Sequence, residues 1–130
     1  MPTLKDNVVR FCELLARGEP LRAMEEFYAD DVCVFENRTL ARAGREQCLL
    51  HEREALTRVR EPPRFKLHRC AVDEGTGVAF IEYTVRFVSS SGRPVRIEEV
   101  AVQSWDGNRI SNERFYHEGV IDEGDDTPST

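Results

Sequence analysis

Glu36 ends the short apolar strand in the stretch FYADDVCVFEN, residues 27–37, where a helix runs out at Phe27 and Tyr28 and two aspartates turn the chain before the strand. Alternation along that strand puts Val32, Val34 and Glu36 on one face and Cys33 and Phe35 on the other. A carboxylate sharing a face with core residues has two readings. It can line an apolar pocket, where desolvation raises its pKa and suits it to move protons near neutral pH. It can also be a solvated acid beside the NRT loop that follows. Glu52 is the second unexpected acid, four residues after Cys48 and three before Ala55, near the centre of a helical apolar stripe. An unpaired acid on a buried helix face is costly or takes up a proton. Glu52 therefore lines a pocket or pairs with Arg53 or His51 at a rim.

Other chemistries find little support. His51, His68 and His117 have no metal-ligand spacing, and Cys12, Cys33, Cys48 and Cys70 form no CxxC pair. The cysteines read as reduced, mostly buried thiols, and no metal is expected. There is no Gly-rich phosphate loop and no GxGxxG, so no cofactor is expected.

The elements that must position these acids can be read from periodicity. Leu4, Val8, Phe11 and Leu15 recur at helical spacing, and Gly18 is a natural stop. Pro20 suits the first turn of a second helix with Leu21, Met24, Phe27 and Tyr28 on its buried side. VCVFEN reads as a strand and RTLARAG as a loop. A third helix runs from Gly44 to about Arg60, with Cys48, Leu49, Ala55, Leu56 and Val59 forming one stripe, and EPPR ends it. Four consecutive strands follow, separated by the turn signals EGTG, SSSGRP and DGN. Helices laid on one face of a strongly bent antiparallel sheet give an α+β fold. Residues 1–121 form one domain, and the acidic segment 122–130 reads as a disordered tail.

The bulk composition narrows the function classes. At 130 residues with 40% hydrophobic and 32% charged residues, the chain suits one domain with a real core. A formal net charge of −6 is a poor match to phosphate backbones, so no nucleic-acid partner is expected. No apolar run approaches bilayer length and the N-terminus lacks a signal core, so no membrane partner and a cytoplasmic location are the expectations.

Three stretches, FYADDVCVFEN, AGREQCLLHEREAL and QSWDGNRISNERFYHE, resemble the nuclear transport factor 2-like superfamily in its SnoaL-like and ketosteroid-isomerase-like branch. The likeness spans roughly Leu4 to Gly119 and rests on the order and spacing of its parts, above all the YADD turn and the W-D-G-x-x-I hairpin. It implies a cone-shaped half-barrel, with three helices closing over a curved, mainly antiparallel sheet around a mostly apolar pocket. It also implies a homodimer through the outer sheet face. Activities in such families include isomerases, dehydratases, epoxide hydrolases and polyketide cyclases beside non-catalytic binding modules, so the fold does not choose among them.

The resemblance also assigns positions. Glu36 matches the carboxylate general base of the isomerase-like relatives, and Tyr28 matches a tyrosine of their hydrogen-bonding network. The two donors that hold an enolate oxygen there fall at Phe11 and Ala101, neither of which can donate. A steroid isomerase is therefore disfavoured. With Ala101 facing the pocket, Glu99, Gln103 and Trp105 share its face. On the preceding strand, pairing brings Phe80, Glu82, Thr84 and Arg86 to the same side. That leaves the apolar set Ala79, Ile81, Tyr83, Val85 and Phe87 outward for a partner subunit to cover. A slip of one residue exchanges the two sets. On the last strand the match turns Glu113, Phe115 and His117 inward, with His117 an acid or base opposite Glu36. Phe11, Val34, Phe80, Trp105 and Phe115 would enclose an apolar ring. The expected function is a SnoaL-like pocket protein, as an acid-base enzyme of isomerase, cyclase or dehydratase type acting on a small hydrophobic cyclic carbonyl compound. The alternative is a non-catalytic homodimeric module for a ligand or a protein.

Overall fold

The computed structural model describes residues 1–123. Helix α1, Leu4–Ala16, opens with a capping box: the Thr3 hydroxyl accepts from the Asp6 N–H, and the Asp6 carboxylate accepts from the Thr3 N–H. These bonds satisfy donors that a helix start leaves open. Its inward face carries Val8, Phe11, Leu14 and Leu15, all buried. Gly18, at φ +76°, turns the chain into α2, Pro20–Phe27, with proline in the first turn.

The strands are β1 Tyr28–Glu36, β2 Thr39–Ala43, β3 Arg64–Asp73, β4 Val78–Val88, β5 Pro94–Asp106, β6 Arg109–Tyr116 and β7 Ile121–Asp122; α3, Arg45–Thr57, lies between β2 and β3. The sheet order is β2-β1-β6-β5-β4-β3, with β7 pairing β5 off that path. All neighbours are antiparallel except β1 and β6. That parallel pair arises because β1 is followed by a hairpin and a helix, after which the β3–β6 meander folds back onto it. Register shifts at Val34/Phe35, Leu67/Arg69 and Ser104/Trp105 fall in three strands. Bulges of this kind bend a sheet, and the result here is an open, curved half-barrel with β2 and β3 at its edges.

The helices fill the concave face. Phe11 meets Phe27 edge-on at 6.1 Å, and Phe27 meets Trp105 at 5.4 Å. Val8, Leu14, Val32, Ile81 and Ile110 are sealed around them.

Three expectations are corrected. RTLARAG is not a loop: Thr39–Ala43 is β2, hairpinned to β1 through Asn37 at φ +54°. It lacks a strand signature because it is an edge strand whose residues are exposed apart from half-buried Arg42. On β4 the two faces exchange. Ile81 pairs with Ala101, Tyr83 with Glu99, and Val85 with Ile97, so Ala79, Ile81, Tyr83, Val85 and Phe87 face the helices. Phe80, Glu82, Thr84 and Arg86 therefore lie on the convex face, where Phe80 is 45% exposed. Paired residues share a face, and the apolar set takes the side the helices cover. Among the cysteines only Cys48 is buried, while Cys12 and Cys33 are half-buried and Cys70 is exposed; all four are free.

At the C-terminal end, Asp122 lies in β7 and ion-pairs with Arg93, and Glu123 meets Arg86 at 3.1 Å. The remainder of the acidic segment expected to be disordered lies outside the described residues. No helix among the described residues is long and apolar enough to cross a membrane.

Candidate active site

Between α2, α3 and the concave sheet lies a cavity of about 490 Å³. Its apolar wall includes Met24, Leu56, Phe65, Val85, Phe87, Ile97 and Phe115. Set into that wall are Glu36 from the end of β1, Glu52 from α3 and Glu99 from β5, with Tyr28, Tyr83, Arg42 and His51. A cavity of this size and mixed character fits a small organic ligand.

Glu36 is held at both oxygens. Arg42 Nη1 donates to Oε2 at 2.9 Å, and His117 Nε2 meets Oε1 at 3.1 Å. The His117 tautomer follows from its other nitrogen. The Gly119 N–H donates to Nδ1 at 3.0 Å, so Nε2 carries the hydrogen given to Glu36. Asn37 fixes the histidine backbone from both sides, accepting from its N–H at 3.1 Å and donating to its carbonyl at 3.0 Å. Burial pushes Glu36 up, but the bond and charge of Arg42, followed by the bond from His117, outweigh it and hold the carboxyl below its ordinary value. His117 thus acts through Glu36 and is not itself in the cavity wall.

Glu99 has the opposite environment. Burial is the largest influence and raises it, while the bond from the Tyr83 hydroxyl, 2.5 Å from Oε2, works against that rise. The charge of Glu36 adds to the rise, so the two carboxyls feel each other. Glu52 is also raised by burial, moderated by Arg42 and reinforced by Glu99. It pairs with neither suggested rim partner: Arg53 reaches Glu25 at 3.7 Å, and His51 stands in the cavity wall, where burial lowers its pKa. Arg42, its side chain 13% exposed, is the guanidinium whose charge bears on Glu36, Glu52 and Glu99 together.

Below this layer is a sealed polar chain. Trp105 Nε1 donates to Gln103 Oε1 at 3.0 Å, Gln103 Nε2 donates to Glu113 Oε2 at 2.7 Å, and the Tyr28 hydroxyl bonds Glu113 Oε1. Glu113 is fully buried, which pushes its carboxyl up to about 7 against the pull of the Tyr28 and Gln103 bonds.

The anticipated residues other than His117 thus separate into three groups. Tyr28, Glu36, Glu52, Glu99 and Phe115 meet in the cavity wall. Phe11, Val34, Ala101, Gln103, Trp105 and Glu113 are buried in the core beneath it. Phe80 and Glu82 stand outside, Glu82 paired with Arg69 at 3.0 Å. Sequence reasoning missed Arg42, which falls in a segment that reads as a loop and carries no signal in its neighbours. It also missed Tyr83, Val85 and Phe87, whose apolar alternation could have marked them as inner.

The model of the SnoaL-like domain family matches residues 8–113. Compared by sequence with curated proteins, the chain finds no match. Several solved structures share its fold. A candidate SnoaL-like polyketide cyclase from Jannaschia sp. CCS1 aligns with a TM-score of 0.74 at 13% identity, over 91% of this chain and 89% of that one. A second, from Mesorhizobium loti, aligns at 0.68 and 21% identity, over 88% and 99%. An LEH-like epoxide hydrolase from M. tuberculosis aligns at 0.69 and 20% identity, over 86% and 80%. Likeness at these identities speaks for the fold alone. The helices on a curved open sheet and the match over residues 8–113 agree: this chain belongs to the SnoaL-like domain family, with the nuclear transport factor 2-like fold.

Proposed function

We propose that this chain is a pocket enzyme that moves a proton on a small hydrophobic cyclic carbonyl compound, as an isomerase, cyclase or dehydratase does. One observation carries the reading: two carboxyls with opposed environments face one apolar cavity. Glu36, bonded by Arg42 and His117, is held below the ordinary carboxylate value, whereas burial raises Glu99 above it. Paired groups pushed apart in this way divide the labour of base and acid. Glu36 takes a proton from the carbon next to the carbonyl, and the C–H electron pair becomes a C=C bond. The carbonyl π pair takes the proton that Glu99 gives up. His117 orients Glu36, and Glu52 lines the opposite wall. Glu36→Gln and Glu99→Gln should each abolish turnover of a cyclic ketone or lactone found by thermal-shift screening, while binding persists. Turnover that survives in Glu36→Gln would sink the assignment.

A homodimer through the convex sheet face is a second, separable reading. Phe80 and Tyr116, 45% and 50% exposed, stand there beside half-buried Val100 and Val102. An apolar cluster of this kind suits an isologous contact. A non-catalytic dimeric module would keep this contact and show no turnover. Sedimentation of Phe80→Asp tests the face: the wild type should be dimeric and the variant monomeric. A monomeric wild type would reject it.

A further inference from the structure

The sealed chain beneath the cavity has one free direction, set by its two ends. Indole N–H is only a donor, so the Trp105 bond forces Gln103 to present its oxygen to Trp105 and its NH₂ to Glu113. Glu113 Oε2 therefore always faces a donor and cannot itself carry a proton toward Gln103. Any proton on Glu113 sits on Oε1, the oxygen that faces the Tyr28 hydroxyl. Only one hydrogen can occupy that line. With Glu113 ionised, Tyr28 donates to it; with Glu113 protonated, Glu113 donates and Tyr28 must turn its own hydrogen elsewhere. Tyr28 is a wall residue of the cavity, which is where that hydrogen can go.

We propose that Tyr28 is a hydrogen-bond donor to a ligand oxygen in the cavity, and that Glu113 is the positioning residue that turns it by gaining or losing one proton. The ligand class is then an uncharged oxygen acceptor, a ketone or lactone, when Glu113 is protonated. When Glu113 is ionised, Tyr28 offers the cavity only lone pairs and its own contribution to the preference for an acceptor disappears. This inference rests on the reading of the cavity as a ligand site and adds a donor to it.

The charged and titratable neighbours of the pair come from every side. Arg42 on β2 favours the ionised form of Glu113, and Glu99 on β5 opposes it. Cys48 on α3 bears on Tyr28. Tyr83 on β4 and Cys12 on α1 each feel the charge of Glu113. With burial the largest influence and its pKa near 7, Glu113 would change state close to neutrality.

The test compares two planar probes of nearly equal shape, 2-acetylnaphthalene and 2-isopropenylnaphthalene, by fluorescence titration well below and well above neutral pH. Neither probe titrates, so any pH effect belongs to the protein. The wild type should prefer the ketone over the alkene about tenfold more strongly than Tyr28→Phe does at low pH, the worth of one good hydrogen bond, and to the same extent as Tyr28→Phe at high pH. Whatever preference Glu99, Arg42 and His51 give from the same wall persists in Tyr28→Phe and cancels in that comparison. Glu113→Gln should keep the tenfold advantage over Tyr28→Phe at both pH values, because the side-chain NH₂ introduced by that substitution donates permanently to the Tyr28 oxygen and leaves the phenol hydrogen free. A merely structural role for Glu113 predicts loss in that variant, not a locked preference. A wild type whose ketone preference never exceeds that of Tyr28→Phe, or exceeds it equally at both pH values, would overturn the inference while leaving the cavity as a binding site. Failure of both probes to bind at either pH would overturn the cavity reading and this inference with it.

Discussion

Replacing Glu113 by glutamine should change how stability depends on pH. The carboxyl is sealed in the core, and its pKa is pushed up to about 7 from an ordinary 4.5. An acid whose folded pKa is raised binds its proton more tightly when folded. Its favourable contribution is fully present below the unfolded value and is lost as pH rises through the folded one. The difference of about two and a half pK units corresponds to about 3 kcal/mol, lost between roughly pH 4.5 and pH 7. No discount for solvent is needed, since Glu113 is 1% exposed. Glutamine keeps the shape and the polarity of the protonated acid, accepting from Gln103 and donating to Tyr28, but does not titrate. Glu52 and Glu99, also raised by burial, are present in both proteins, so their contributions largely cancel in the comparison. Urea denaturation of both proteins between about pH 5 and pH 8 should therefore show their difference moving by about 3 kcal/mol in favour of Glu113→Gln. In a thermal scan that is a relative gain of roughly 10 °C for a domain of this size. Parallel stability curves over the whole range would refute the claim that Glu113 is an acid strained by burial.

Further expectations concern single contacts. Arg42→Met leaves Glu36 without its closest cation, so the carboxyl should rise and stability at neutral pH should fall by about 0.5–1.5 kcal/mol, solvent at the part-exposed Glu36 reducing the loss, measured by urea titration. Glu36 is lowered in the folded protein, so its contribution is present above about pH 4.5 and is lost on acidification; in Arg42→Met that acid limb should flatten. Gly77→Ala should cost about 1–2 kcal/mol, because Gly77 sits at φ +70° and a Cβ would lie 3.1 Å from the Trp105 carbonyl oxygen; an unchanged melting temperature would contradict this. Ile81→Ala should cost about 2–5 kcal/mol, as the side chain is fully enclosed between sheet and helices. Phe80→Ser should leave ligand affinity intact, since Phe80 faces away from the cavity; weaker binding in that variant would contradict the face assignment.

Periodicity and turn chemistry are local properties, so they are written in the chain. The three helices, the four-strand meander, and the placing of Glu36 after Val32 and Val34 follow from apolar spacing, Pro20, Gly18 and the DGN turn, which need only near neighbours to act. Glu52 could likewise be singled out, because an acid inside an apolar helical stripe is anomalous wherever the helix packs. Sheet register is different. It depends on which strand lies opposite which residue, and one step exchanged the two faces of β4, sending Phe80 outward and bringing Tyr83, Val85 and Phe87 into the cavity. Edge strand β2 has too little apolar content to announce itself, so Arg42 was invisible until the hairpin carried it to Glu36. The environments of the carboxyls are the furthest from sequence. Whether a glutamate is held ionised by Arg42 and His117, left half-desolvated beside Tyr83, or sealed beneath Tyr28 depends on groups contributed by strands distant in the chain. Electrostatics acts through space, and only the folded chain decides which charges are close.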